Sequence, residues 1–260
     1  MAKHFLIQKD SPLSVENLQL KEEINAVNAR MRFIKIADYN EVSLECLSSF
    51  NRPGYIPIGS IEFVQKYLSV AYNISTMPPI EIPEVLRKSE FLLRDYNIVP
   101  YDKIPSNGRY FVKDVSKLKS FSFSGDINYL LSNEFHEQIN KNHIFQVSSL
   151  LDILAEYRVI VTDDKIEAIQ FYNGEPTIMP TEKEIIKIKK MVYLYLTDTN
   201  RPEAYTFDVA IVRNGNERDL ALIEVHPAIS IGTYGYAGQK LIDMYEKGFS
   251  WYLKQKGKEI

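Results

Sequence analysis

One cysteine in 260 residues, Cys46, excludes an intrachain disulfide and any cysteine-built metal cluster, and suits a reducing compartment. A lone thiol of this kind is expected to pack as a small buried hydrophobe. Long apolar runs are also missing. No segment approaches the ~20 residues a membrane helix needs, and the apolar run in MAKHFLIQKD is too short for a secretion signal. A cytoplasmic protein is the expectation. Charge of one sign is lacking too: 31 Lys and Arg stand against 34 Asp and Glu, a formal net charge of -3. With no global cationic field, any nucleic-acid contact must rest on a local patch. Internal repeats and low-complexity tracts are absent.

What is present is the composition of a globular chain, 45% hydrophobic and 25% charged, long enough for one large domain or two lobes with a real core. The 17 Tyr and 13 Phe fill such a core, or else line a base-stacking surface. Along the chain, LSVENLQLKEEINAVNARM (13–31) has helical spacing after Ser14, a candidate N-cap. RFIKIA (32–37) alternates as a strand. NRPGYIPIG (51–59) is a turn and a short apolar piece, and SIEFVQKYLSV (60–70) is a helix opening on Ser60 and Glu62. A strand, a Gly59-Ser60 turn and a helix start form a place where ligands bind in α/β proteins.

YNISTMPPIEIP (72–83) is irregular, EVLRKSEFLLRDYN (84–97) reads as a helix, and IVPYDKIPSNG (98–108) as a connection. The lobe boundary is placed there, giving an N-terminal α/β lobe over 1–100 and a strand-rich part over 101–260. RYFVKD (109–114) alternates with Arg109, Phe111 and Lys113 on one face, and VSKLKSFSFSGD (115–126) is a Ser- and Lys-rich loop. LAEYRVIVTDDKIEAIQFYNG (154–174) is a hairpin turning at Asp163 and Asp164. TEKEIIKIKKMVYLYL (181–196) is an amphipathic helix. YTFDVAIVRNGNERDLALIEVH (205–226) is a second hairpin with Asn214 and Gly215 in its turn. The segment 237–257 has Leu241, Tyr245, Phe249 and Tyr252 at helical spacing.

The second hairpin carries the chemistry. Alternation puts Leu222, Glu224 and His226 on one face and Ala221, Ile223 and Val225 on the other. A loop centred on Asn216 would set Asp208 directly opposite Glu224. Carboxylates paired across a sheet repel unless a cation lies between them. A hard divalent ion answers that, and magnesium in particular uses one or two carboxylates plus substrate phosphates. A solvated sheet edge is the plain alternative. Lys113, and Lys117 and Lys119 in the loop, suit phosphate oxygens, or are surface charges. Arg158 lies on a face with Glu156, either to stabilise charge on a transferred phosphoryl group or to pair with Glu156.

The order FVKD, a Ser/Gly loop, EYR, FDVAIV and LIEVH followed by a second Ser/Gly loop resembles the ATP-grasp superfamily of ATP-dependent ligases over about residues 98–250. GSIEFV, EYR, the Glu-x-polar strand end and GTYGY are most similar to a small clade of phages and bacterial conflict systems that has been proposed to act in RNA repair. The resemblance implies an α/β (α+β) ATP-grasp fold, with a smaller N-terminal lobe before two antiparallel-sheet-plus-helix lobes that hold ATP between them, in a bacterial or phage-infected host cytoplasm. It implies ATP contacts from Lys113, Lys119, Glu156 and Arg158, catalytic roles for Lys113 and Arg158, and Mg2+ held by Asp208, Glu224 and His226. His226 stands where the family has Asn. Gly59, Ser60, Ser230 and Tyr234 would face a second substrate, an amino acid, a peptide or an RNA end, with KEIIKIKK (183–190) as a basic patch for RNA or merely a solvated face. The rivals are a non-catalytic nucleotide-binding or interaction protein that keeps the fold, and a structural phage component whose charged set is only a salt-bridge cluster.

Overall fold

The computed structural model describes residues 2–9, 11, 14–31, 34–75, 77, 81–118, 120–132, 139–238 and 240–260. Its first sheet is parallel, in the order β2-β1-β3, from β1 (Lys3–Gln8), β2 (Ala37–Val42) and β3 (Ile56–Ile58). Phe5, Leu6 and Ile7 are consecutive and all buried, as suits a central parallel strand covered on both faces. Helix α1 (Ser14–Arg30) crosses between β1 and β2, and α2 (Ile61–Tyr72) follows β3. The Ser60 hydroxyl accepts from Phe63 N at 3.3 Å to cap α2, and Asn73 ends it in the left-handed conformation.

A short helix α3 (Ser89–Leu92) leads to an antiparallel sheet ordered β4-β7-β5-β6, built from β4 (Tyr96–Pro100), β5 (Arg109–Asp114), β6 (Ser122–Asp126) and β7 (Ile144–Ser149), with α4 (Ile127–Ser132) after β6. Val112, Phe145 and Val147 meet Ile127 and Leu130 in its small core. The third sheet, β11-β10-β8-β9, consists of two hairpins: β8 (Asp152–Thr162) with β9 (Lys165–Gly174), and β10 (Ala204–Asn214) with β11 (Glu217–Pro227). Asp163 and Asp164 both take positive φ in the first turn, the backbone a two-residue hairpin requires. Helix α5 (Glu182–Tyr195) opens on a Thr181–Glu184 capping box and sets Ile188, Met191 and Tyr195 against Tyr157, Phe207 and Leu222. Helix α6 (Lys240–Lys254) places Tyr245 and Phe249 in one core with Phe5, Phe63, Tyr67, Ile160 and Ala204, which joins the first sheet to the third.

Several expectations are corrected. The segment 84–97 is not one helix: Leu93 turns left-handed (φ 51) after a four-residue α3, and β4 begins at Tyr96. Part of the expected connection is therefore strand, and β4 ends where the expected lobe boundary falls. The expected strand at 32–37 lies further on, at 37–42, because the Asn28 side chain takes Ile36 N at 2.9 Å and Ala37 O at 2.7 Å before pairing with β1 begins; residues 32 and 33 lie outside the described residues. Ser14 is the first helical residue and not the one before the helix. Ser122–Asp126, read as loop, pairs with β5. Cys46 is exposed instead of buried. Among the described residues no helix is long and apolar enough to cross a membrane.

Candidate active site

The second hairpin pairs Asp208 with Glu224, by a route its turn alone would not give. The turn has two residues and aligns Asn214 with Glu217 and Val209 with Leu222; a bulge then shifts the register so that Asp208 meets Glu224. Ile223 is the extra residue. The bulge also reverses the expected faces. Leu222 packs with Val225 on the α5 side, whereas Ala221 and Ile223 pack with Ala210 and Val212. Leu222 therefore does not share a face with Glu224. Glu224 and His226 do: His226 Nε2 and Glu224 Oε2 are 2.6 Å apart.

Asp208, Glu224 and His226 each offer a ligand atom, and these atoms lie within 4.8 Å of one another. Lys113, from β5 of the facing sheet, forms an ion pair with Glu224 Oε1. Burial works against charge on Glu224, but the hydrogen bond and charge of His226, and then those of Lys113, outweigh it and hold this carboxyl far below the usual carboxylate range. Two carboxylates and an imidazole at this spacing suit a divalent cation. The carboxylate oxygens suit magnesium, and the imidazole suits it less well than an amide oxygen would.

Arg158 is buried on β8 opposite Asp208. Its Nε and Nη2 donate to the two Asp208 oxygens at 2.8 and 2.7 Å, and Nη1 donates to Gly232 O at 2.9 Å. Tyr172 and Tyr234 stack 5.0 Å apart, with the guanidinium over both rings. Burial disfavours the arginine's charge, yet Asp208 more than offsets it and raises the pKa. The ion-pair partner is thus Asp208 and not Glu156, which accepts from Tyr172 Oη at 3.0 Å and Asn173 Nδ2 at 2.5 Å.

A cleft of about 630 Å³ runs along this set, lined by Lys113, Arg158, Glu224, His226, Ser230 and Tyr234, with Phe121 and Ser122 on one side and Glu16 and Ile61 on another. Gly59 and Ser60 stand behind this wall. The Ser60 hydroxyl caps α2, Ser60 N donates to Gln8 Oε1 at 2.7 Å, and Gly59 O accepts the Ser230 hydroxyl at 2.8 Å. They brace the loop that carries Ser230 and Tyr234. Lys119 lies outside the described residues, and Lys117 donates its backbone N–H to Asp114 Oδ1 at 3.3 Å. Asp114, which sequence reading passed over, organises that loop: it also accepts from Ser116 N at 2.8 Å, from the Ser120 hydroxyl, and meets His143 Nδ1 at 2.6 Å. Its place beside Lys113, before a Ser-rich loop, was the available signal.

Two antiparallel sheets facing each other across a cleft with basic and acidic walls define an ATP-grasp protein. A family model described as an ATP-grasp domain, the second family of its clade, matches residues 91–244, and the chain belongs to that family, within a class of ATP-dependent ligases. No curated protein sequence matches it. Among solved structures it is similar to D-alanine–D-alanine ligase from Bacillus anthracis complexed with ATP, at 12% identity and a TM-score of 0.52 over all of both chains. It is also similar to D-alanyl-alanine synthetase A from Vibrio cholerae, at 10% identity and a TM-score of 0.53 over 94% of this chain and 97% of that one. N5-carboxyaminoimidazole synthetase from Staphylococcus aureus complexed with ADP shares 11% identity and a TM-score of 0.52, over 100% of this chain and 79% of that one. These similarities concern the fold.

Proposed function

We propose that the chain is a magnesium-dependent ATP-grasp ligase that activates an acid through an acylphosphate and joins it to an amine or other nucleophile. The observation that carries this reading is the convergence of Asp208, Glu224 and His226, to within 4.8 Å, on one cleft with Lys113 and Arg158. Magnesium, held by Asp208 and Glu224 with His226 beside them, would neutralise phosphate charge during transfer. Lys113 brings a flexible ammonium with three donors, which holds phosphate oxygens when it leaves Glu224. Arg158 orients Asp208 and adds fixed positive charge beside the transferred group. The loop with Ser230 and Tyr234, braced by Gly59, forms the wall for the second substrate.

In this chemistry a carboxylate oxygen of the acid attacks the γ-phosphorus while the bond to the β-bridging oxygen breaks, releasing ADP. The nucleophile then attacks the acyl carbon and phosphate leaves. Positioning and electrostatics are the protein's contribution. A small acceptor is favoured over an RNA end because the basic stretch of α5 is partly spent: Lys187 pairs with Asp219 at 2.8 Å and Lys190 with Glu90 at 2.7 Å. Product analysis with ATP, magnesium and pools of acids and amines tests the reading. ADP and phosphate, formed only when both substrates are present, are expected. AMP and pyrophosphate, or a stable lysine–AMP adduct, would refute it.

A further inference from the structure

The strand that carries Glu224 depends on its bulge. Residues directly opposite each other in an antiparallel pair share a face, so the unshifted register set by the two-residue turn would place Ile223 beside Asp208. Glu224 would then point to the other side of the sheet. The extra residue corrects this, but a bulge leaves peptide groups outside the regular ladder, and buried carbonyls need donors.

Arg94 supplies them from 128 residues away. Its Nη1 donates to Leu222 O at 2.7 Å and to Leu92 O at 3.2 Å, and its Nη2 donates to Ile223 O at 3.2 Å. Leu93, left-handed and packed against the cluster of Ala210, Val212 and Ala221, turns the chain so that the next side chain reaches the bulge. Burial pushes the Arg94 pKa down to about 10, with the charges of Tyr96 and Glu224 acting the other way, so the guanidinium stays charged at neutral pH. Two adjacent carbonyls are met by two different nitrogens of one rigid fork, which a lysine ammonium cannot reproduce.

We infer that Arg94 is a positioning residue for Glu224: by clamping the carbonyls on both sides of the bulge, it sets the face on which Glu224 stands and so its meeting with Asp208 and His226. The metal part of this inference rests on the proposed function; the clamp itself does not. The test compares wild type, Arg94→Lys and Glu224→Gln, reading Mn2+ binding by the free ion's paramagnetic resonance signal and backbone amide exchange at residues 222–226 without metal. The expected result is Mn2+ binding that is lost in Glu224→Gln and weakened about 10–100-fold in Arg94→Lys, with faster exchange in Arg94→Lys confined to the bulge. Wild-type affinity and exchange in Arg94→Lys would overturn the inference. If the wild type binds no Mn2+, the metal reading falls, and the exchange alone decides the positioning role: faster at the bulge upholds it and unchanged rejects it. Should Arg94→Lys not fold, Arg94→Gln takes its place, and if neither folds, Arg94 serves stability and the positioning role is rejected.

Discussion

Arg158 and Asp208 stand directly opposite each other on β8 and β10, and the arginine holds both carboxylate oxygens, at 2.8 and 2.7 Å. Both side chains are buried, at 9% and 7% exposure, so neither has water to fall back on. Removing one leaves the other as an uncompensated buried charge, a loss of about 3–5 kcal/mol. Arg158→Met is therefore expected to lower stability by that amount in urea unfolding. Arg158→Lys should recover only part of it, because one ammonium cannot make the paired contact. A loss below about 1 kcal/mol, the range of surface pairs, would contradict this.

Gly248 lies on α6, where an added Cβ would come within 2.5 Å of the Ala228 carbonyl oxygen, just beyond β11. In an ordinary helix interior Gly→Ala gains roughly 0.5–1 kcal/mol. Here the expected sign is reversed: Gly248→Ala loses about 1–3 kcal/mol through overpacking against backbone. Thermal unfolding checks the sign.

Asp114 gives a pH prediction. Burial opposes its charge, but the Ser120 hydroxyl, the His143 ring and the Ser116 backbone N–H hold its pKa below the ordinary 3.8. A carboxyl depressed in the folded state contributes stability above its unfolded pKa and loses it as pH falls through the folded value. The stability gap between wild type and Asp114→Asn, about 1–3 kcal/mol at neutral pH, should hold down to mildly acidic pH and shrink below 3.8. A gap of constant size would show that the charge is not what counts. Because Asp114 ties down the loop beside Lys113, the variant should also bind ATP more weakly.

His226 departs from the asparagine that the family resemblance leads one to expect. An amide oxygen is a better magnesium ligand than an imidazole, so His226→Asn is expected to keep or improve magnesium-dependent ATP binding, whereas His226→Ala weakens it. Loss of binding in His226→Asn as complete as in His226→Ala would mean that the imidazole itself is required.

Much of the third sheet was legible because local chemistry marks it. The Asp163-Asp164 turn and the Ser60 cap are short-range signals that the structure keeps, whereas the second hairpin turns one residue later than expected, at Gly215-Asn216, with Asn214 paired to Glu217. Lys113, Arg158, Asp208, Glu224 and His226 could be named from alternation and family resemblance, and they do line or border one cleft. The pairing of Asp208 with Glu224 was reached from a wrong premise, a loop centred on Asn216; in the fold a tighter turn and a bulge together produce it. The bulge was hidden because its clamp, Arg94, is distant in sequence and was assigned to a helix. The alternative that paired Arg158 with Glu156 fails for a similar reason: Glu156 is its neighbour along the strand, while Asp208 is its neighbour across the sheet.

The proposed chemistry turns on Glu224 helping to hold magnesium for a nucleotide. Calorimetric titration of ATP into wild type and Glu224→Gln, with and without magnesium, asks this of the protein itself. Binding by the wild type is expected to require magnesium and to fall at least about tenfold in the variant, the scale expected when a metal site loses part of its support. Equal ATP binding with and without magnesium, or a variant that binds like the wild type, would contradict it.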